Sequence, residues 1–309
     1  MKHYIFILFF SISAIVVSAQ QIATSSMYDL QGSFHNPSVA GVQKHGVIGA
    51  TYRAMWDGID GGPRTATVFG SGYIPSIRLG LGGYVYSDVT GPTKRTGMQM
   101  AYAYHIPMKN DAVFSLGIEG RFQQFSFDRA KLQASLGNDP AIGSTSNKVT
   151  GDAGFGMSYT SKKFQVGASV SQLIQSKMDF YQTNLGGGSA ALPGRTQQAQ
   201  LYRHYFLHGY YIWNVDDHTT ITPNAMFIYL PNAPLEFQGG ARVEHNELFW
   251  WGLALRAKQS WMISAGLRIN KVFTVGYCFD IYTTPLSVYD KGSNGHEILL
   301  KYDFAKKKD

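Results

Sequence analysis

Nine histidines and an ample supply of serine are the residues of this chain to test first for chemistry. A zinc hydrolase of the His-Glu-x-x-His type needs two imidazoles on one helix face, and no such run occurs. His204 and His208 are four apart, but their surroundings alternate as a strand does. They would share one strand face about 13 Å apart, too far to clamp one ion. No Gly-x-Ser-x-Gly elbow is present either, so a serine hydrolase would have to assemble Ser and His from separate strands. Gly80-Leu81-Gly82-Gly83 lies in a strand with no helix after it, unlike a phosphate cradle. Gly186-Gly187-Gly188 lies in a long polar connection and reads as flexible chain. The one cysteine, Cys278, excludes an internal disulfide and a Cys-based zinc cluster. The sequence therefore points to no catalytic centre, no cofactor and no metal.

The elements carrying these residues have a period of two. Trp261, Ile263, Ala265, Leu267 and Ile269 alternate with Met262, Ser264, Gly266 and Arg268. Phe273, Val275, Tyr277, Phe279 and Ile281 alternate with Thr274, Gly276, Cys278, Asp280 and Tyr282. Successive side chains of a strand leave on opposite faces, so one face is apolar and the other holds glycine, hydroxyls and charge. Charges in the clearest strands fall on the less apolar face. A lipid-facing Arg or Lys at the bilayer midplane costs about 2–4 kcal/mol, so a bilayer would impose this segregation.

Fourteen strands are expected, at 47–53, 65–73, 79–87, 96–106, 112–122, 152–159, 164–170, 199–212, 219–228, 236–245, 248–256, 261–269, 273–282 and 297–304. Pro223 weakens the ninth, because proline cannot donate to a ladder. Long and short connections alternate along the chain, the longest being 123–151 and 171–198. That parity fits a transmembrane antiparallel β-barrel with long extracellular loops and short periplasmic turns. The long connections could cap the outer mouth or fold inward. Inside such a barrel Glu119, Arg121, Arg242, Glu244, Arg256 and Arg268 are the candidate lumen-facing charges.

Composition agrees. Tyr and Phe number 19 each and Gly 34, while charged residues are only 15% of the chain. The net charge of +7 is spread widely, without a nucleic-acid motif beside it. Residues 1–19 read as a signal peptide, with Lys2, an apolar run from Tyr4 and Val17-Ser18-Ala19 before the cleavage point. Residues 20–45 have no clear period and are expected to form a periplasmic N-terminal segment. The barrel would then span 46–304, and 305–309 would be a basic, solvated tail.

A set of ordered motifs resembles the PorP/SprF family of outer-membrane proteins of type IX secretion and gliding in Bacteroidetes. It begins with Asn36-Pro37-Ser38-Val39-Ala40-Gly41, then Tyr52-Arg53-Ala54-Met55-Trp56 and Gly62-Pro63-Arg64-Thr65. Gly80-Leu81-Gly82-Gly83 follows, with Asp88-Val89-Thr90-Gly91, Tyr102-Ala103-Tyr104 and Phe114-Ser115-Leu116-Gly117. Later come Phe237-Gln238-Gly239-Gly240-Ala241-Arg242, Trp251-Gly252 with Arg256, Tyr277 with Asp280, and Gly295-His296-Glu297-Ile298 with Tyr302. Met55 departs from the polar residue expected there, and the middle, about 123–235, matches poorly.

The resemblance implies a non-enzymatic barrel in the outer membrane, anchoring or retaining a secreted, adhesin-like surface protein. It also implies links to periplasmic ring or peptidoglycan-binding lipoproteins. Asn36, Pro37, Tyr52, Arg53, Trp56, Asp88, Gly91, His296 and Glu297 are the candidate contact residues it supplies. Local structural roles explain the same residues: Asn36-Pro37 as a turn, Tyr52 and Trp56 as girdle or loop packing. Asp88 to Gly91 would be a turn, and His296 with Glu297 a hydrogen-bonded strand mouth. A porin-like channel for small solutes is the alternative function.

Overall fold

The computed structural model describes residues 25–136, 147–177, 200–231 and 233–304. The expected signal peptide, the start of the 20–45 segment, parts of the two longest connections and the expected basic tail lie outside them.

Among the described residues, fourteen antiparallel strands form one ring. They are β1 Val47–Met55, β2 Arg64–Ile74, β3 Leu79–Thr90, β4 Thr93–Pro107, β5 Val113–Phe127, β6 Asn147–Thr160 and β7 Phe164–Ser171. The ring continues with β8 His204–Tyr211, extended past Ile212 by Trp213–Asn214, then β9 Thr219–Tyr229 and β10 Glu236–His245. It ends with β11 Phe249–Arg256, β12 Ser260–Ile269, β13 Phe273–Tyr282 and β14 Gly295–Asp303. Each strand pairs with its sequence neighbours. β1 closes the ring against β14, from Val47 opposite Asp303 to Met55 opposite Gly295. Closure matters because hydrocarbon offers nothing to an unpaired backbone N–H or C=O.

Burial is inverted relative to a water-soluble sandwich. On β4, Met98, Met100, Tyr102 and Tyr104 are exposed, while Gln99, Ala101, Ala103 and His105 between them are buried. On β5, Leu116, Ile118 and Phe122 point out, and Ser115, Glu119, Arg121 and Gln123 point in. Exposed apolar side chains continue round the ring through Leu253, Ile263 and Ile298. This is the outer-membrane arrangement of apolar wall and polar lumen.

Several strands run beyond their expected ends. β3 and β4 extend until Thr90 faces Thr93, so the turn is only Gly91-Pro92, with Gly91 at φ +55°. Asp88 is therefore on a strand rather than in a turn. It accepts from Thr65 Oγ1 at 2.8 Å and pairs with Arg95 at 3.1 Å, polar cross-strand contacts that carry the ladder past the apolar belt. β5 and β6 also reach into the expected 123–151 connection, and a short helix, α1 Arg129–Leu136, follows β5. β9 passes through Pro223 without a break. Its pairing with β8 lapses there, between Asn224 opposite Tyr210 and Ile221 opposite Trp213, so the proline, with no N–H to donate, falls in the unpaired step opposite Tyr211 and Ile212.

The largest departure concerns the segment expected in the periplasm. Described from Ser25, it packs inside the barrel rather than outside it, with residues 25–28, 31 and 33–41 buried. Its apolar side chains are the physical reason. Met27 and Phe34 join Phe69, Tyr84, Trp250, Met262, Cys278 and Leu299 in an apolar cluster within the lumen. Tyr28 packs on Phe206, Met226 and Ile228. Full burial of each such side chain is worth about 1.5–3 kcal/mol.

The outer face predicts its own test. Ile118→Arg, at the lipid-facing middle of β5, should cost about 2–4 kcal/mol. Urea titration of the barrel in lipid vesicles measures it; an unchanged midpoint would contradict a lipid-facing Ile118.

Candidate functional site: a charged latch in the lumen

The inner wall near the extracellular rim holds Arg53 of β1, Asp280 of β13 and Glu297 of β14, all buried. Alternation turns these three positions inward, and register sets Arg53 directly opposite Glu297. Arg53 Nη2 lies 2.7 Å from Asp280 Oδ2, and its Nε lies 3.7 Å from Glu297 Oε2. Both carboxylates also grip the N-terminal segment. Glu297 accepts from the Ser26 backbone N–H at 2.7 Å, from Ser25 Oγ and, at 3.2 Å, from Gln31 Nε2. Asp280 accepts from Ser26 Oγ at 2.7 Å. Gln238 Nε2 donates to the Ser25 carbonyl at 3.3 Å, and its Oε1 accepts from Arg256 at 3.1 Å. A backbone N–H, a backbone carbonyl and two hydroxyls of Ser25-Ser26 are thus read by one charged cluster.

A second anchor sits at the Asn36-Pro37 corner. Asn36 Oδ1 caps the 3₁₀ turn Pro37–Val39 by accepting from Ser38 N at 3.0 Å. Its Nδ2 donates to the Met157 carbonyl at 3.1 Å and meets His208 Nε2 at 3.0 Å. Ser38 Oγ donates to Ser158 Oγ at 2.9 Å. The wall is shaved to receive this corner: a Cβ on Gly117 of β5 would collide with the Ser38 backbone nitrogen, and one on Gly80 of β3 with the Ala40 carbonyl. Those two glycines belong to motifs visible in the sequence, and close approach of a second backbone is their use.

The other candidate residues divide by face. Glu119 and Arg121 pair at 3.0 Å, with Gln99 and Ser171 also donating to Glu119. Arg242 meets Asp29 of the segment at 2.6 Å, and Glu244 meets Arg268 at 2.7 Å. Tyr52 is exposed on the outer wall. His296 and Glu297 point to opposite faces, so they form no joint mouth contact; His296 Nδ1 is 2.6 Å from Tyr277 Oη outside. Trp56, at φ +48°, rests its ring 5.5 Å from Tyr282. It belongs to an extracellular lobe in which Asp290 accepts from Gly58 N at 2.8 Å.

Asp280, Gln238, Ser25, Ser26 and Gln31 are the members of this site missing from the candidate set. Strand parity marks Asp280 and Gln238 as inward-facing; nothing local marks the two serines, whose partners are more than 200 residues away. No group of three or more His, Cys, Asp or Glu among the described residues could hold a metal ion. Below the segment, at the short-turn end, a cavity of about 830 Å³ is lined by Asp29, Arg242, Glu244, Arg268, Lys271 and Lys301 among others.

Two outcomes follow from this geometry. Arg53→Ala strands Asp280 and Glu297 without their cation, and breaking a buried pair from one side costs about 3–5 kcal/mol; unfolding in detergent by urea should show that loss. His35 lies in the segment with both ring nitrogens buried and unpartnered. Burial first, then the neighbouring His208, Arg121, Arg256 and His204, pushes its pKa down to about 3. A depressed folded pKa gives stability that is complete above about pH 6.5 and lost as pH falls toward 3. His35→Phe should flatten the acid limb of a stability profile between those values; an unchanged limb would assign it to other groups.

Solved structures resemble this barrel. A FadL homologue from Pseudomonas aeruginosa aligns with a TM-score of 0.53 at 12% identity, covering 88% of this chain and 94% of its own. Omp33 from Acinetobacter baumannii gives 0.46 at 9%, covering 84% and 98%. The CymD monoaromatic hydrocarbon channel gives 0.48 at 10%, covering 89% and 93%. The first of these supports the outer-membrane barrel fold. No curated protein matches the sequence. The family described as type IX secretion system membrane protein PorP/SprF matches residues 17–302. With that match over nearly the whole length, and the family-like motifs on the latch and the plug corner, the chain belongs to the PorP/SprF family of type IX secretion membrane proteins.

Proposed function

We propose that this type IX secretion barrel is a non-enzymatic mount in the outer membrane. Its extracellular loops retain a secreted, adhesin-like surface protein, and its short periplasmic turns meet ring or peptidoglycan-binding lipoproteins. The observation that supports this best is the occupied lumen. Residues 25–41 contact strands right round the ring, from Asp280 and Glu297 through Arg242 and Asn224 to Ser158 and His105. A barrel whose bore is filled by its own chain is better suited to holding partners at its two ends than to passing solutes.

The extracellular lobe adds to this reading. Asp290 is fully buried beneath an exposed Val288 and Tyr289, and the Asn294 carbonyl accepts from Asp57 N at 3.2 Å. Two loops are thereby tied into one firm surface. A porin-like channel is the second reading, favoured by the charged cavity at the periplasmic end.

Affinity purification of a tagged chain from native outer membranes, in mild detergent with mass spectrometry, separates the two. Co-purified ring or peptidoglycan-binding lipoproteins and a surface adhesin are the expected result. Recovery of the barrel alone, with a steady conductance in planar bilayers, would sink the mount and leave the channel.

A further inference from the structure

We propose that residues 25–41 are a removable plug, latched at Ser25-Ser26 by Arg53, Asp280 and Glu297, which unlatches to open the lumen. The segment is tethered covalently at its periplasmic end, where residues 42–46 lead into β1. At its first described residues, Ser25 and Ser26 near the extracellular rim, it is gripped by side chains of the wall. The strap opens from the latch toward the Asn36-Pro37 corner, its second hold, which must also part from Met157 and Ser158 before the segment turns about the tether. Gly41, at φ +67°, and Gly46 stand at that tether.

Space for the movement already exists. The cavity of about 830 Å³ has 28–33, His35, Asn36 and Val39 of the segment on one wall and the short-turn residues Asp217 and Lys271 on another. The segment therefore borders open space on its periplasmic side.

The seat also differs from a sealed core. His35 has both ring nitrogens buried without partners, and Gln31 Oε1, Trp250 Nε1 and Thr274 Oγ1 at or near the seat are likewise orphaned. Each such group in place subtracts from the stability of the closed form, because its hydration is lost without replacement. The latch itself is a charge cluster, and buried ion pairs recover little more than their desolvation cost. Moving these groups into a hydrated lumen is thus far less costly than unpacking an apolar core of equal size. Met27 and Phe34, with Tyr28, supply the apolar hold that keeps the plug seated at rest.

Cys278, the chain's single cysteine, reports directly on this movement. It is buried on the β13 inner wall in the cluster that Met27 completes. Intact chain in outer-membrane vesicles is treated with a small maleimide, and label is counted only in the folded, heat-modifiable band on a gel. Ser25→Ala/Ser26→Ala, which removes both hydroxyls, and Arg53→Lys, which keeps the charge but loses the fork, should each label at least tenfold faster than the parent. Labelling as slow as the parent in both folded variants would overturn the plug. This readout involves no secretion partner, so it stands or falls separately from the mount.

Discussion

Everything in this molecule rests on one constraint: a strand crossing hydrocarbon must find all its backbone partners in other strands. Fourteen strands meet it by closing, and β1 against β14 is the seam. Closure then forces the rest. With lipid outside, the apolar half of every strand faces out, and the polar half is left facing a bore. A bore lined by Glu119, Arg121, Arg53, Asp280 and Glu297 must either stay wet or supply partners for those groups.

The chain supplies the partners itself. The Ser25–Gly41 segment brings hydroxyls, an amide side chain and backbone groups to the wall charges, and rings to the apolar hollow under Tyr84 and Trp250. Phe34 stacks on Tyr84 at 4.4 Å, and the Arg121 guanidinium lies 5.9 Å from the same ring. Charge and apolar packing are interleaved along one strap. The fit is therefore specific in position, while the net hold of its polar part is modest.

Much of the barrel was legible from sequence because period two is a local signal. The Trp261-to-Phe304 alternation reappears as β12, β13 and β14, and all fourteen strands have observed counterparts. The errors cluster where lipid stops dictating the pattern. Past the belt, strands such as β3 and β4 are held by Thr, Asp and Arg pairs, and their composition resembles that of a loop. From Ser25 on, the segment expected in the periplasm lies in the bore instead, for a related reason. Ser25, Gln31 and Asn36 look like solvated chain until the strands that face them are assembled, and their partners lie about 120 to 270 residues away. Arg53 and Glu297 were visible as motif residues, yet nothing in the sequence said that they face each other.

The lumen charges also bear on what the bore can do. Arg242 is engaged by Asp29, Arg268 by Glu244, Arg121 by Glu119 and Arg53 by Asp280. A selective pore needs ligands left free for a passing ion or solute, and these charges are spent on one another and on the plug. Arg242 and Arg268 already border the cavity at the short-turn end; with the plug withdrawn, Asp280 and Glu297 lose Ser25-Ser26 as well, and Arg242 loses Asp29. The opened wall would then present hydrogen-bonding groups already shaped to a polypeptide backbone, because a polypeptide backbone is what they hold when closed. That complementarity ties the filled bore to a protein-handling role more closely than to a solute one.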